Sequence, residues 1–177
     1  MYKNILLCIV LIWLVMAGCA KEQIYRSNPP MRTISSSAFE VKLEPLRADG
    51  YNYYNRFRFE FTNKSNKDLT VSWSQSYYLQ NGNRYGLFGW EGLTFEQLRG
   101  IREEPDIATA PGRTETLVIF PLRLMGWREE GVRMKATTPE AGFTNGVIPV
   151  GENGISLAVI DNGKLVRENI LVKITLE

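Results

Sequence analysis

Carboxylates are the clustered groups in this chain that could carry acid–base or metal chemistry. They occur as Glu103-Glu104-Pro105-Asp106 and as Glu129-Glu130. A pair of carboxyl groups can divide the acid and nucleophile roles of glycoside cleavage, and carboxylate oxygens can hold Ca²⁺. Neither cluster has the spacing diagnostic of either chemistry. Arg99, Arg102 and Arg128 stand beside them, so they read as solvated loop charges. Histidine is absent from all 177 residues. That removes Ser-His-Asp and Cys-His machinery, imidazole bases and imidazole metal ligands. No Gly-rich phosphate loop opens a helix and no dinucleotide fingerprint occurs. The expectation is a protein that is not an enzyme and has neither cofactor nor metal site.

Aromatic side chains act by binding rather than by reacting. Tyr51, Tyr53 and Tyr54 form one cluster and Tyr77, Tyr78, Tyr85, Phe88 and Trp90 another, while Trp127 stands apart. Tyrosine and tryptophan concentrate in interaction hot spots and in platforms that face carbohydrate. The same rings also seal the core of a domain that has no disulfides, and Trp73 and Tyr77 are assigned there. The candidate binding residues are therefore Trp90, Trp127, Phe88 and Tyr85.

These residues must be positioned by strands, because the hydrophobic period is two. Phe39, Val41 and Leu43 alternate with Glu40, Lys42 and Glu44, and Phe57, Phe59 and Phe61 alternate with Arg58 and Glu60. Such alternation marks half-buried strands. A third strand places Leu69, Val71, Trp73, Tyr77 and Leu79 on one parity. Gly154 to Ile160 is apolar on both parities and should run centrally, and the last strand presents Ile170, Val172, Ile174 and Leu176. Asn81-Gly82 and Asp161-Asn162-Gly163-Lys164 are hairpin turns, since Asn-Gly tolerates the positive φ angles of a type I′ turn. Asn63-Lys64-Ser65, although it matches a glycosylation acceptor, reads as a turn. Thr94 and Gln97 have capping-box spacing and predict a single helical turn. Gly86 to Gly112 and Leu122 to Gly151 are longer than ordinary connections, so they are expected to be functional or locally structured. These elements predict an all-β, immunoglobulin-like β-sandwich of about seven to nine strands with one short helical turn in a long loop, a small closed barrel being the alternative. Trp73 stands where immunoglobulin-like domains often bury a tryptophan.

The amino-terminal segment sets the address. Lys3 precedes an unbroken apolar run from Ile5 to Met16, shorter than the roughly 20 residues of a spanning helix, and the whole is built like a secretory signal. Met16-Ala17-Gly18-Cys19 resembles the lipobox of bacterial lipoproteins, with Met16 where leucine is usual. That resemblance implies a lipid on Cys19, cleavage before it, and attachment to a membrane. The two cysteines are Cys8, inside the segment to be removed, and Cys19, so the folded part has no disulfide framework. Residues 1–18 are expected as the signal peptide, 19–37 as a lipidated flexible tether with a random-coil reach of roughly 20–25 Å, and 38–177 as the sandwich. Ala20 after Cys19 resembles outer-membrane sorting, which places the protein there if the cell is Gram-negative. The formal charge of +2 leaves no footprint for nucleic acid.

The stretch from Phe57 to Trp90 and the run from Gly151 to Lys164 resemble a pattern found in small bacterial lipoproteins of unassigned function. It supports the sandwich and implies no activity. The expected function is a non-enzymatic module binding a protein partner in the cell envelope; the alternative is a carbohydrate- or peptidoglycan-facing module using Trp90 and Trp127, and the second alternative a carboxylate-based hydrolase.

Overall fold

The computed structural model describes residues 23–94, 97–98, 106–128 and 142–177. Two antiparallel sheets face one another. The first contains β2 (Arg32–Ser35), β3 (Phe39–Arg47), β4 (Tyr54–Asn63), β10 (Thr114–Pro121) and β8 (Phe88–Trp90), in that order. The second runs β1 (Tyr25–Asn28), β14 (Lys164–Leu176), β13 (Gly151–Asp161), β5 (Leu69–Val71), β9 (Ile107–Thr109). Further along β13 the place of β5 is taken by β6 (Tyr77–Gln80), which pairs in turn with β7 (Asn83–Gly86). A separate hairpin joins β11 (Gly126–Arg128) to β12 (Gly142–Thr144).

The order β3-β4-β10-β8 opposite β14-β13-β5/β6-β7 is that of strands A-B-E-D facing G-F-C-C′ in an immunoglobulin sandwich. Eight strands make this core, with the C position broken into β5 and β6. The two sheets together hold 12 strands among the described residues, more than the seven to nine expected. The other short strands lie at sheet edges or in the long connections, where no alternation announces them.

Alternation places the core. Val41, Leu43, Phe57, Phe59 and Phe61 of the first sheet meet Ile155, Leu157, Val159, Ile170, Val172 and Ile174 of the second, and all are buried. β13 is buried from Asn153 to Val159 and runs centrally, paired with β14 on one edge and β5/β6 on the other. Both Asn-Gly turns form as predicted, with positive φ at Asn81, Gly82, Asn162 and Gly163. Asn63 is fully buried; its side-chain amide donates to Lys67 O and Thr109 O, and its oxygen accepts from the Ser65 N–H. The predicted capping box also forms, with Gln97 N–H donating to Thr94 Oγ1 and Thr94 N–H to Gln97 Oε1. Its Leu98 packs with Phe120 and Met125 in a second, smaller cluster.

Residues 24–35, expected within a flexible tether, belong to the sheets instead. Ile24 exchanges two backbone hydrogen bonds with Glu177, β1 pairs with the end of β14, and β2 pairs with β3. The Pro-Pro pair interrupts only the crossing from one sheet to the other.

Candidate functional site

The predicted aromatic residues divide according to which way their strands turn them. Phe88 is 1% exposed and lies edge-on to Trp73 and Tyr78, with ring centroids 6.2 and 5.9 Å away. It is a core residue and is withdrawn as a binding candidate, because β8 closes the first sheet with Phe88 facing inward. Trp90 is half-buried against Trp73 at 6.2 Å, so its ring seals the edge of the core. Tyr85 is half-buried between Tyr78 at 6.2 Å and the Arg123 guanidinium at 4.7 Å. Tyr85, Phe88 and Trp90 therefore come together as one wall of the core around Tyr78 and Trp73. Trp127 is placed by its backbone in β11, opposite Phe143. Cys19 and the carboxylates Glu103, Glu104, Glu129 and Glu130 lie outside the described residues.

A different tyrosine is presented outward. Between the pairs Val71↔Val159 and Tyr77↔Ser156, the five residues Ser72 to Ser76 face only Leu157 and Ala158. The surplus of three is odd, and an odd insertion exchanges the faces of a strand. Trp73 stays inside, 1% exposed, and Tyr78 becomes a core residue. Tyr77, assigned to the core from parity, turns to the outer face of the second sheet. Hydrogen bonds fix the insertion: Ser76 Oγ donates to Ser72 O (2.7 Å) and accepts from the Ala158 N–H (3.0 Å), while Ser72 N–H donates to Ala158 O (2.9 Å).

Two guanidinium groups flank the displaced ring from strands on either side. Arg84 of β7 lies 4.7 Å from the Tyr77 centroid and Arg167 of β14 lies 5.0 Å from it, within cation–π range. Arg167 is held by donation to Ser156 Oγ (3.1 Å) and Gln75 O (3.0 Å). Both arginines are exposed. Among the described residues neither lies within ion-pair distance of a carboxylate, whereas Arg26, Arg56 and Arg58 each do. Glu168, next to Arg167 in sequence, belongs to the opposite face of β14 by strand alternation. The site is a tyrosine between two cations that have no carboxylate partner among the described residues, suited to a carboxylate beside an apolar group.

Nothing in the composition marks Arg84 or Arg167. The signal available was the serine-rich break Ser72-Trp73-Ser74-Gln75-Ser76, which interrupts a strand pattern and so calls its parity into question. Among the described residues no three His, Cys, Asp or Glu side chains gather as a metal site, and no helix is long and apolar enough to cross a membrane. The chain matches no protein-family model, no curated protein and no solved structure.

Proposed function

We propose that this chain is an exported lipoprotein, anchored through Cys19, whose sandwich is a recognition module for a protein partner in the cell envelope. The site proposed for that partner is the outer face of β6, β7 and β14, around Tyr77. The observation that carries the reading is the pair Arg84 and Arg167 held against an outward tyrosine without carboxylate partners among the described residues. Tyrosine and arginine are the residue types enriched where binding energy concentrates. Three strands fix their positions, so little conformational entropy remains to be lost on binding. The charge of the pair assigns the partner an acidic segment.

The test uses tagged full-length protein, solubilised in detergent from its own envelope and compared with two variants. Arg84→Glu reverses the charge at the site. Among the described residues the Arg84 side chain makes no hydrogen bond and no ion pair, only its contact with the Tyr77 ring, so folding should be unaffected. Lys164→Glu changes the charge equally at a distant hairpin. An envelope protein retained by the wild type and Lys164→Glu, and lost with Arg84→Glu, supports the reading. Equal retention by all three removes the Tyr77 face as the recognition surface.

A further inference from the structure

Among the described residues the first tied to the sandwich is Ile24, whose N–H donates to Glu177 O at 3.1 Å and whose carbonyl accepts from the Glu177 N–H at 3.0 Å. Only five chain steps separate it from Cys19. A fully extended chain spans at most about 3.6 Å per step, so the reach is at most roughly 18 Å. A lipid on Cys19 therefore keeps this end of the domain close to the bilayer, and its surface is the one the bilayer meets.

That surface is unusually apolar. Among the described residues the exposed large apolar side chains are Met31, Tyr51, Val147, Val150, Leu165 and Leu176, and four of these six gather at this end. Tyr51 is 62% exposed and its ring lies 5.2 Å from that of Tyr53. The intervening Asn52 carbonyl accepts from the Tyr25 N–H. Leu176 pairs with Tyr25, Val147 precedes Ile148, which bonds Tyr54 O, and Val150 precedes the Gly151↔Ile174 pair. Two of the carboxylates at this end are ion-paired, Asp49 with Arg56 and Glu177 with Arg26, while Glu152 is exposed with no ion pair among the described residues.

We infer that this end of the sandwich rests directly on the phospholipid bilayer that holds its anchor. Tyr51 and Tyr53 sit at headgroup level, where amphipathic rings are favoured, and Val147, Val150 and Leu176 bear on the acyl boundary. The inference rests on the lipidation of Cys19. It adds that the domain is oriented rather than freely swinging, with the strands standing up from the membrane and the Tyr77 face to the side.

Since the chain beyond Cys19 has no cysteine, a single introduced thiol reports position. Asn52→Cys places a dye at the apolar end. Lys164→Cys places one at the far end of β14, roughly 40 Å away at the strand rise per residue. The mature lipoprotein is purified, its mass measured to establish the acyl groups on Cys19, and each labelled form reconstituted in phosphatidylethanolamine–phosphatidylglycerol vesicles containing lipid with a bromine-labelled chain. The expected result is several-fold stronger quenching at Asn52→Cys than at Lys164→Cys. Adding Tyr51→Ser and Val147→Ser should bring the first down toward the second. Weak quenching at both positions, or quenching at Asn52→Cys unchanged by those two substitutions, overturns the contact while leaving the anchor standing. A mature protein without acyl mass removes the anchor and the inference together.

Discussion

The phenol of Tyr78 donates a hydrogen bond to the side-chain oxygen of Asn153, joining β6 to the first turn of β13 inside the core. Asn153 passes the connection on, its amide donating to Pro149 O (2.7 Å) and Gly151 O (3.0 Å). Both side chains are fully buried, so each polar atom depends on the other. Tyr78→Phe leaves the Asn153 oxygen without its donor and should destabilise the fold by about 1–3 kcal/mol, read from the urea midpoint.

The same phenol predicts a pH dependence. Burial pushes the Tyr78 pKa above its ordinary value of 10, with the neighbouring Tyr85 acting in the same direction. The unfolded chain releases this proton near pH 10, whereas the folded chain retains it. Folding therefore holds more protons above that pH, and stability falls as pH rises; below it the contribution is complete. Wild type should lose up to about 1.4 kcal/mol per pH unit above 10 relative to Tyr78→Phe. Parallel stability curves for the two proteins from pH 9 to 11 would refute the assignment.

Trp73 supports the centre of the sandwich through Phe59 at 5.2 Å and Phe88 at 6.2 Å. Trp73→Ala should cost about 3–5 kcal/mol. Among the described residues its buried indole nitrogen has no hydrogen-bond partner, so Trp73→Phe sacrifices packing alone and should cost clearly less. Equal losses in thermal or urea unfolding would show that the indole nitrogen is satisfied after all.

Ser76 locks the insertion that turns Tyr77 outward. Ser76→Ala removes the acceptor of the buried Ala158 N–H and the donor to Ser72 O, an expected loss of about 1–3 kcal/mol. Because the face presented by Tyr77 depends on the insertion, hydrogen exchange at Ala158 should quicken in this variant. Unaltered exchange there would mean that the backbone alone fixes the turn.

Cys19→Ala should take up no labelled palmitate and should retain the signal segment. A Cys19→Ala protein that is still cleaved and still membrane-bound after a carbonate wash would remove the anchoring proposal.

Local rules made most of the sandwich legible. Phe57, Phe59 and Phe61 announce their inward face by alternation, β13 announces its central place by being apolar throughout, and Asn81-Gly82 and Asn162-Gly163 announce their turns by backbone chemistry. What stayed hidden depends on distant partners. Tyr25–Asn28 and Arg32–Ser35 carry no amphipathic pattern and are strands only because β14 and β3 offer open edges to them. Phe88 looked available because three residues of β8 are too few to display a period. Tyr77 reads as inward only if parity runs through Ser72–Ser76 as in a continuous strand. The meeting of Arg84 and Arg167 about Tyr77 is a property of β7, β6, β13 and β14 brought side by side, and no window of sequence contains it.

The crossing of the amino-terminal segment from one sheet to the other has a mechanical consequence. β1 and β2 both run away from the end at which the chain enters, each along the edge of a different sheet. A pull on that entry point acts along the axis of β1, so its hydrogen bonds to β14 are loaded together in shear rather than opened one by one. Only after they slip does the load pass to β2 and its pairing with β3. Tension applied between the amino terminus and the second sheet is thus borne in two successive stages at the margins, and the aromatic interior around Trp73 is spared until both have yielded.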